Sequence, residues 1–156
     1  MSDIVRRSIA VYDGQLVDPF TVTHLDGVFR IETIAHALSM LCRYGGHVSS
    51  FYSVAEHCLL VERIAEERTM FVYEGESRNQ LRREALVHDA AEAYLIDLPA
   101  PFKRMQEMAH YRAAEERLAY ELRSWFGLRA TETAFVKDID VEIRGTEARQ
   151  LFRVIP

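Results

Sequence analysis

The sequence predicts an all-α domain with a small β-hairpin near its N-terminus. Three observations point that way. Apolar residues recur at helical spacing in about five segments between Ile31 and Leu151. The strand-like material, with Ile9, Val11 and Val17 around a turn signal, lies in residues 8–30. The breakers Gly45-Gly46, Pro99, Pro101 and Gly127 fall between the periodic segments rather than inside them.

The hairpin comes first. Ile9, Val11 and Val17 flank Asp13-Gly14, a tight-turn signal, and Asp18-Pro19 breaks the extended stretch after Val17. A second extended piece is expected at Val28-Phe29-Arg30. The first helix is expected from Ile31 to Cys42, where Ile31, Ile34, Ala35, Leu38, Leu41 and Cys42 share one face; Gly45-Gly46 ends it. The second opens with Ser53-Val54-Ala55-Glu56, a reciprocal capping pair, and runs to Glu66. A polar stretch over residues 67–78 is assigned no role. The third helix is expected to open with Ser77-Arg78-Asn79-Gln80 and to run to Tyr94. Pro99 and Pro101 impose an extended loop. A long amphipathic helix spans Met105 to Phe126, with Gly127 placed for a left-handed cap, and a last helix spans Thr133 to Leu151.

A chain of 156 residues suits one domain, here 1–156, with residues 1–30 as an N-terminal extension and 31–151 as the helical core. Hydrophobic residues make up 49% and charged residues 28%, the balance of a soluble globular protein. The net charge is -5 and the cations are scattered, with only short pairs such as Arg6-Arg7 and Arg82-Arg83, which argues against a nucleic-acid polymer as partner. Cys42 and Cys58 form no CxxC pair and read as core thiols in a reducing compartment. No apolar run approaches the roughly 20 residues of a membrane span, and the N-terminus lacks a leader's apolar core. The expected location is cytoplasmic, in a bacterial or phage-infected cell.

The chemistry concentrates in Ala85-Leu86-Val87-His88-Asp89-Ala90-Ala91-Glu92-Ala93-Tyr94. His88, Asp89 and Glu92 interrupt an oily segment, and burying such groups unpaired is costly. A bound cation would serve all of them. Leu81, Ala85, His88 and Glu92 are spaced at steps of four, three and four, so they share a face that Asp89 borders. Two further ligands are available. His57 lies four residues before Val61 and seven before Ile64, so it points inward. Asp140 lies on the buried side with Ile139 and Ile143, while Asp138 is its rival nearer solvent. Two imidazoles and two carboxylates suit one divalent transition ion such as Zn, Co, Mn, Ni or Fe. Each residue also has an ordinary structural reading, a core hydrogen bond for His57 and a cap or ion pair for Asp140. Spacing alone does not decide between them.

The ordered motifs Ile34-Ala35-His36-Ala37-Leu38-Ser39, Cys42-Arg43-Tyr44-Gly45-Gly46-His47, Phe51-Tyr52-Ser53-Val54-Ala55-Glu56-His57, His88-Asp89-Ala90-Ala91-Glu92, Asp97-Leu98-Pro99-Ala100-Pro101-Phe102-Lys103 and Lys137-Asp138-Ile139-Asp140 cover residues 31–151. In this order they resemble the HD-domain phosphohydrolases. The likeness is strongest to the compact subgroup of bacterial 5′-deoxynucleotidases and phage triphosphohydrolases acting on dATP. The resemblance implies a helical-bundle HD domain and metal ligands His57, His88, Asp89 and Asp140. It implies catalytic roles for Glu92 and Asp97, and phosphate binding by Arg43 with Lys103 as a further cation. Tyr44 stands where some members carry Trp, and Tyr44, His47 and Phe51 would wall the base or sugar. Structural alternatives exist here too: Arg43 as a helix cap, Tyr44 and Phe51 as core aromatics, Asp97 as the cap of the Pro99 turn.

The implied activity is metal-dependent hydrolysis of deoxynucleotides. The first expectation is a dNTP of the dATP type cleaved to deoxynucleoside and triphosphate, with Arg82, Arg83, Lys103 and Arg104 as candidates for the outer phosphates. The alternative is a dNMP cleaved to deoxynucleoside and orthophosphate. A further alternative is a nucleotide-sensing module without catalysis. The expected partners are a small nucleotide, one metal ion or a second ion arriving with the phosphates, and another copy of the chain.

Overall fold

A computed structural model of the protein describes residues 7–153. Residues 1–6, which hold most of the stretch inspected for a leader, lie outside the described residues. The fold is all-α, with one two-stranded hairpin. Strand β1 (Ile9–Ala10) pairs antiparallel with β2 (Leu16–Val17), Ile9 opposite Val17. Asp13-Gly14 makes the turn, with Gly14 at φ 84 and the Asp13 carboxylate accepting the Gln15 amide. Val28-Phe29-Arg30 finds no strand partner among the described residues; it leads into the first helix and drives Phe29, 1% exposed, into the core.

Five helices of ten residues or more carry the domain among the described residues: α1 (Ile31–Met40), α2 (Val54–Thr69), α3 (Gly75–Val87), α6 (Ala109–Trp125) and α7 (Ala134–Leu151). The one-turn helices α4 (Glu92–Leu95) and α5 (Ala100–Lys103) lie between α3 and α6. The Ser53/Glu56 box caps α2 as its sequence dictates, and Gly127 turns left-handed beyond α6. No helix among the described residues is long and apolar enough to cross a membrane.

Two departures from the sequence reading shape the centre of the molecule. Helix α1 stops at Met40 because Leu41 to Arg43 run extended against Tyr52 to Val54: the Arg43 amide donates to Tyr52, and the Val54 amide to Leu41. The third helix does not reach Tyr94. It ends at Val87, and residues 88–91 form tight turns in which the amides of Ala90, Glu92 and Ala93 donate three residues back. The local cause is His88, whose Nδ1 sits 2.8 Å from the Ala85 carbonyl that an unbroken α-helix would offer to Asp89.

Buried side chains form two clusters. One gathers Phe29, Ile34, Leu38, Val54, Cys58, Tyr94, Leu118 and Leu122 from the N-terminal segment, α1, α2, α4 and α6. The other gathers Val61, Ala65, Ala85, Val136, Ile139 and Ile143 from α2, α3 and α7.

Candidate metal centre

His57 projects from α2 between Val54 and Val61 and is fully buried. His88 and Asp89 come from the turn that ends α3, and Asp140 from the second turn of α7. His57 Nε2 lies 3.3 Å from His88 Nε2, 3.2 Å from Asp140 Oδ1 and 3.7 Å from Asp89 Oδ2. His88 Nε2 lies 3.3 Å from Asp89 Oδ2. The rival Asp138 is exposed.

The outward nitrogens fix the tautomers. His57 Nδ1 is 2.6 Å from Glu147 Oε1, and His88 Nδ1 is 2.8 Å from the Ala85 carbonyl. Both partners only accept, so each Nδ1 carries a proton and donates it. The Nε2 atoms therefore turn their remaining valences toward each other and toward two carboxylates. Such a set needs a proton or a cation in its midst. Burial works against a charged His88 ring, but Asp89 and Cys58 outweigh it and hold its pKa well above the usual histidine range. Burial likewise opposes an ionised Asp89, yet His88, His57 and Arg43 keep it far below the usual carboxylate range.

The donors fit a metal ion. Nitrogen and oxygen ligands held about 2.0–2.2 Å from one ion stand about 2.8–3.6 Å apart at octahedral to tetrahedral angles, a range that includes three of the four measured pairs. His57, His88 and Asp89 form a possible metal-binding site, their donor atoms all within 4.8 Å of one another.

Beside this cluster lies a cavity of about 170 Å³ lined by Arg43, Tyr44, Asp89, Glu92, Asp97, Lys103, Asp140 and Arg144, among others. Glu92 is 6% exposed, and its Oε2 is buried without a hydrogen-bond partner. Burial, reinforced by the like charges of Asp89 and Asp97, pushes its carboxyl well above the usual range; Lys103, 3.3 Å from Oε1, and Arg43 offset this only in part. Arg43 spends its guanidinium on Asp89 at 3.2 Å and Glu147 at 3.5 Å rather than on helix carbonyls. Asp97 accepts the Tyr44 amide at 3.3 Å.

Both segments that deliver these residues hold non-glycine residues at positive φ. Tyr44 is left-handed (φ 58, ψ 27) and starts the turn completed by Gly45 and Gly46. Ile96, just before Asp97, has φ 62 and ψ 159, a region costly for any side chain. Tyr111 braces that turn by presenting its hydroxyl to the carbonyls of Leu95 and Ile96.

Two residues expected at a substrate wall lie elsewhere. His47 lines a separate depression with Val48, Ser49, Leu151 and Arg153, and Phe51 is 60% exposed outside the cavity lining. The left-handed turn at Tyr44 to Gly46 redirects the chain before it reaches them. His36 stacks on Tyr12.

Sequence reasoning missed Glu147 and Arg144. Glu147, 3% exposed, receives the Nδ1 proton of His57, the Tyr44 hydroxyl at 2.6 Å and the Tyr52 hydroxyl at 2.9 Å. Although burial opposes its charge, these hydrogen bonds and Arg43 bring its pKa down to about 2. Arg144 reaches Asp140 Oδ2 at 3.2 Å. The signal for both lay in α7: Glu147 stands two helical turns after Asp140, and Arg144 one.

No family model matches the sequence. The chain is 38% identical over 121 residues, 78% of its length, to the uncharacterized protein YfdR of Escherichia coli K12. It is 34% identical over 126 residues, 80% of its length, to an uncharacterized protein of Rhodobacter capsulatus. The chain spans about 60% of the length of these curated relatives. Neither relative's name carries an activity.

Proposed function

We propose that this protein is a divalent-metal-dependent phosphohydrolase acting on the 5′-phosphate ester of deoxynucleotides. The observation that carries the reading is the pair of imidazoles whose Nδ1 atoms are committed to Glu147 and Ala85, so that both Nε2 atoms converge with two carboxylates beside a cavity edged with cations. His57, His88, Asp89 and Asp140 would hold one transition ion, with a second ion accompanying the phosphates as the alternative. A bound divalent ion supplies Lewis acidity toward a phosphoryl oxygen and toward water.

The chain's own residues do the rest. Arg43, Lys103 and Arg144 hold the phosphate oxygens and offset charge that grows as phosphorus is attacked. Glu92, pushed upward by burial, takes the proton of the attacking water as the new P–O bond forms. The proton taken by Glu92 goes to the leaving O5′ as the ester bond breaks, and Asp97, fixed by the Tyr44 amide, orients the water or relays that proton. Tyr44 contributes the aromatic edge of the cavity.

The sequence resemblance favours a dNTP of the dATP type, giving triphosphate. One observation favours a dNMP and orthophosphate: Arg82 is paired with Glu62 and Glu66, Arg83 with Glu76, and both line a different depression. Two of the four cations considered for the outer phosphates are therefore engaged away from the cavity, while Lys103 lines it. Product analysis with each dNTP and dNMP, across Mn, Co, Zn and Mg, separates the two. Release of triphosphate or of orthophosphate supports the corresponding arm. Absence of turnover with every nucleotide and every metal overturns the hydrolase reading and leaves the nucleotide-sensing alternative, which nucleotide binding by the same protein tests.

A further inference from the structure

We infer that Glu147 is a positioning residue that sets the affinity of the metal centre and ties it to the substrate cavity. The inference rests on the metal-centre reading above.

Glu147 lies behind His57, on the side away from the proposed ligand atoms, and is not among the residues lining the adjacent cavity, yet it is among the most heavily engaged side chains described. Its Oε1 lies 2.6 Å from His57 Nδ1 and 2.9 Å from the Tyr52 hydroxyl; its Oε2 lies 2.6 Å from the Tyr44 hydroxyl and 3.5 Å from an Arg43 nitrogen. A carboxylate accepts only, so it holds the His57 proton at Nδ1 and leaves Nε2 free for an ion. An acidic partner behind an imidazole raises its basicity and fixes its ring orientation. Loss of such a partner typically costs about 10–100-fold in metal affinity.

The same carboxylate reaches the cavity by two short paths. Through Oε2 it pins the ring of Tyr44, whose left-handed backbone presents its amide to Asp97. Through Arg43 it touches the cation that also contacts Asp89. The ligand His57, the ring of Tyr44 and the guanidinium of Arg43 therefore share one anchor. It sits two turns beyond Asp140 on the helix that supplies that carboxylate. Displacing the anchor disturbs the ion and the cavity wall together.

A purely structural role is the alternative, and the molecule contains its own control. Glu84 is buried to the same degree, 3% exposed, and accepts from Arg123 at 3.0 Å and from the Thr133 amide, with no contact to the metal cluster. The test is a Co(II) titration of the full chain followed by visible absorption, for wild type, Glu147→Gln and Glu84→Gln, with thermal unfolding of each. The expected result is Co(II) affinity lowered about 10–100-fold with an altered spectrum in Glu147→Gln, and wild-type affinity in Glu84→Gln despite its lower melting temperature. Equal Co(II) affinity in Glu147→Gln and wild type overturns the inference. Failure of the wild type itself to bind Co(II) overturns the metal centre instead. Long-range proton–nitrogen spectra of the metal-free wild type supply a measurement independent of whether Glu147→Gln folds. The neutral His57 ring is expected to carry its proton on Nδ1, and a proton on Nε2 refutes the role assigned to Glu147.

Discussion

Replacing Ile96 reverses an ordinary rule of protein stability. Ile96 sits at φ 62, ψ 159 with its side chain 57% exposed, immediately before Asp97. Its own amide donates to Glu92, and Tyr111 holds its carbonyl, so the surrounding structure enforces the conformation. A side chain in that region costs about 1–3 kcal/mol, which Ala retains and Gly removes. Gly in turn carries about 0.5–1 kcal/mol of extra backbone entropy to be lost on folding. Both substitutions delete the same partly exposed side chain, so that contribution cancels between them. Ile96→Gly is therefore expected to be about 0.5–2 kcal/mol more stable than Ile96→Ala. For a chain of this length that is about 1–8 °C in melting temperature. Urea unfolding of the two variants, analysed with a common m-value, reads the difference directly. An Ala variant as stable as the Gly variant, or more so, refutes the strain. On the proposed function, Ile96→Gly is further expected to loosen the position of Asp97 and to lower the hydrolytic rate, even as it gains stability over Ile96→Ala.

Asp89→Ala removes a proposed ligand and is expected to abolish metal binding, whereas Glu92→Gln is expected to keep the metal and to lower the proposed hydrolytic rate about 10²–10⁴-fold; a fully active Glu92→Gln variant refutes the proton-transfer role, with metal analysis and initial rates as the two readings. His88 and Glu92 both have pKa values raised by the fold. A raised group contributes stability at pH below its unfolded value, and that contribution is lost as pH rises to the folded value. The metal-free protein should therefore lose melting temperature as pH rises above about 6.5, and saturating divalent ion should restore it; a metal-free melting temperature that climbs through this window contradicts the assignment. Glu147 has the opposite sign: its pKa is lowered from 4.5 to about 2, so its contribution persists at neutral pH and disappears as pH falls through that interval. Acid unfolding of the wild type should accordingly release protonation-linked stability below pH about 4.5, to a smaller extent in Glu147→Gln.

Local signals in the sequence are those the fold expresses most faithfully. The Asp13-Gly14 turn, the Ser53/Glu56 box and the Gly127 cap each depend on a few neighbouring residues, and each forms where the sequence places it. The inward direction of His57 is legible in its spacing to Val61. The break at Val87 was hidden because tight turns through residues 88–91 keep nearly the helical course, so the apolar rhythm runs on without a visible fault. The His88 contact with Ala85 and the amides that donate three residues back instead of four distinguish the two conformations. The direction of the chain after Arg43 was hidden as well. It turns on a tyrosine in a left-handed conformation, which sequence preference disfavours, and that turn sends His47 and Phe51 away from the cavity. Glu147 was invisible for another reason. A glutamate in a charged helix reads as solvated surface, and the residues that justify its burial, Tyr44, Tyr52 and His57, lie about a hundred positions earlier in the chain.

The proposed metal centre draws His57, His88, Asp89 and Asp140 from three separate segments, and the rest of the proposed chemistry depends on it. An anomalous difference map at the manganese or cobalt edge, from crystals of protein loaded with that metal, tests it most directly. The predicted result is a peak bonded to Nε2 of His57, Nε2 of His88 and the carboxylates of Asp89 and Asp140. A map with no density between those side chains, in crystals where the metal was in excess, contradicts it.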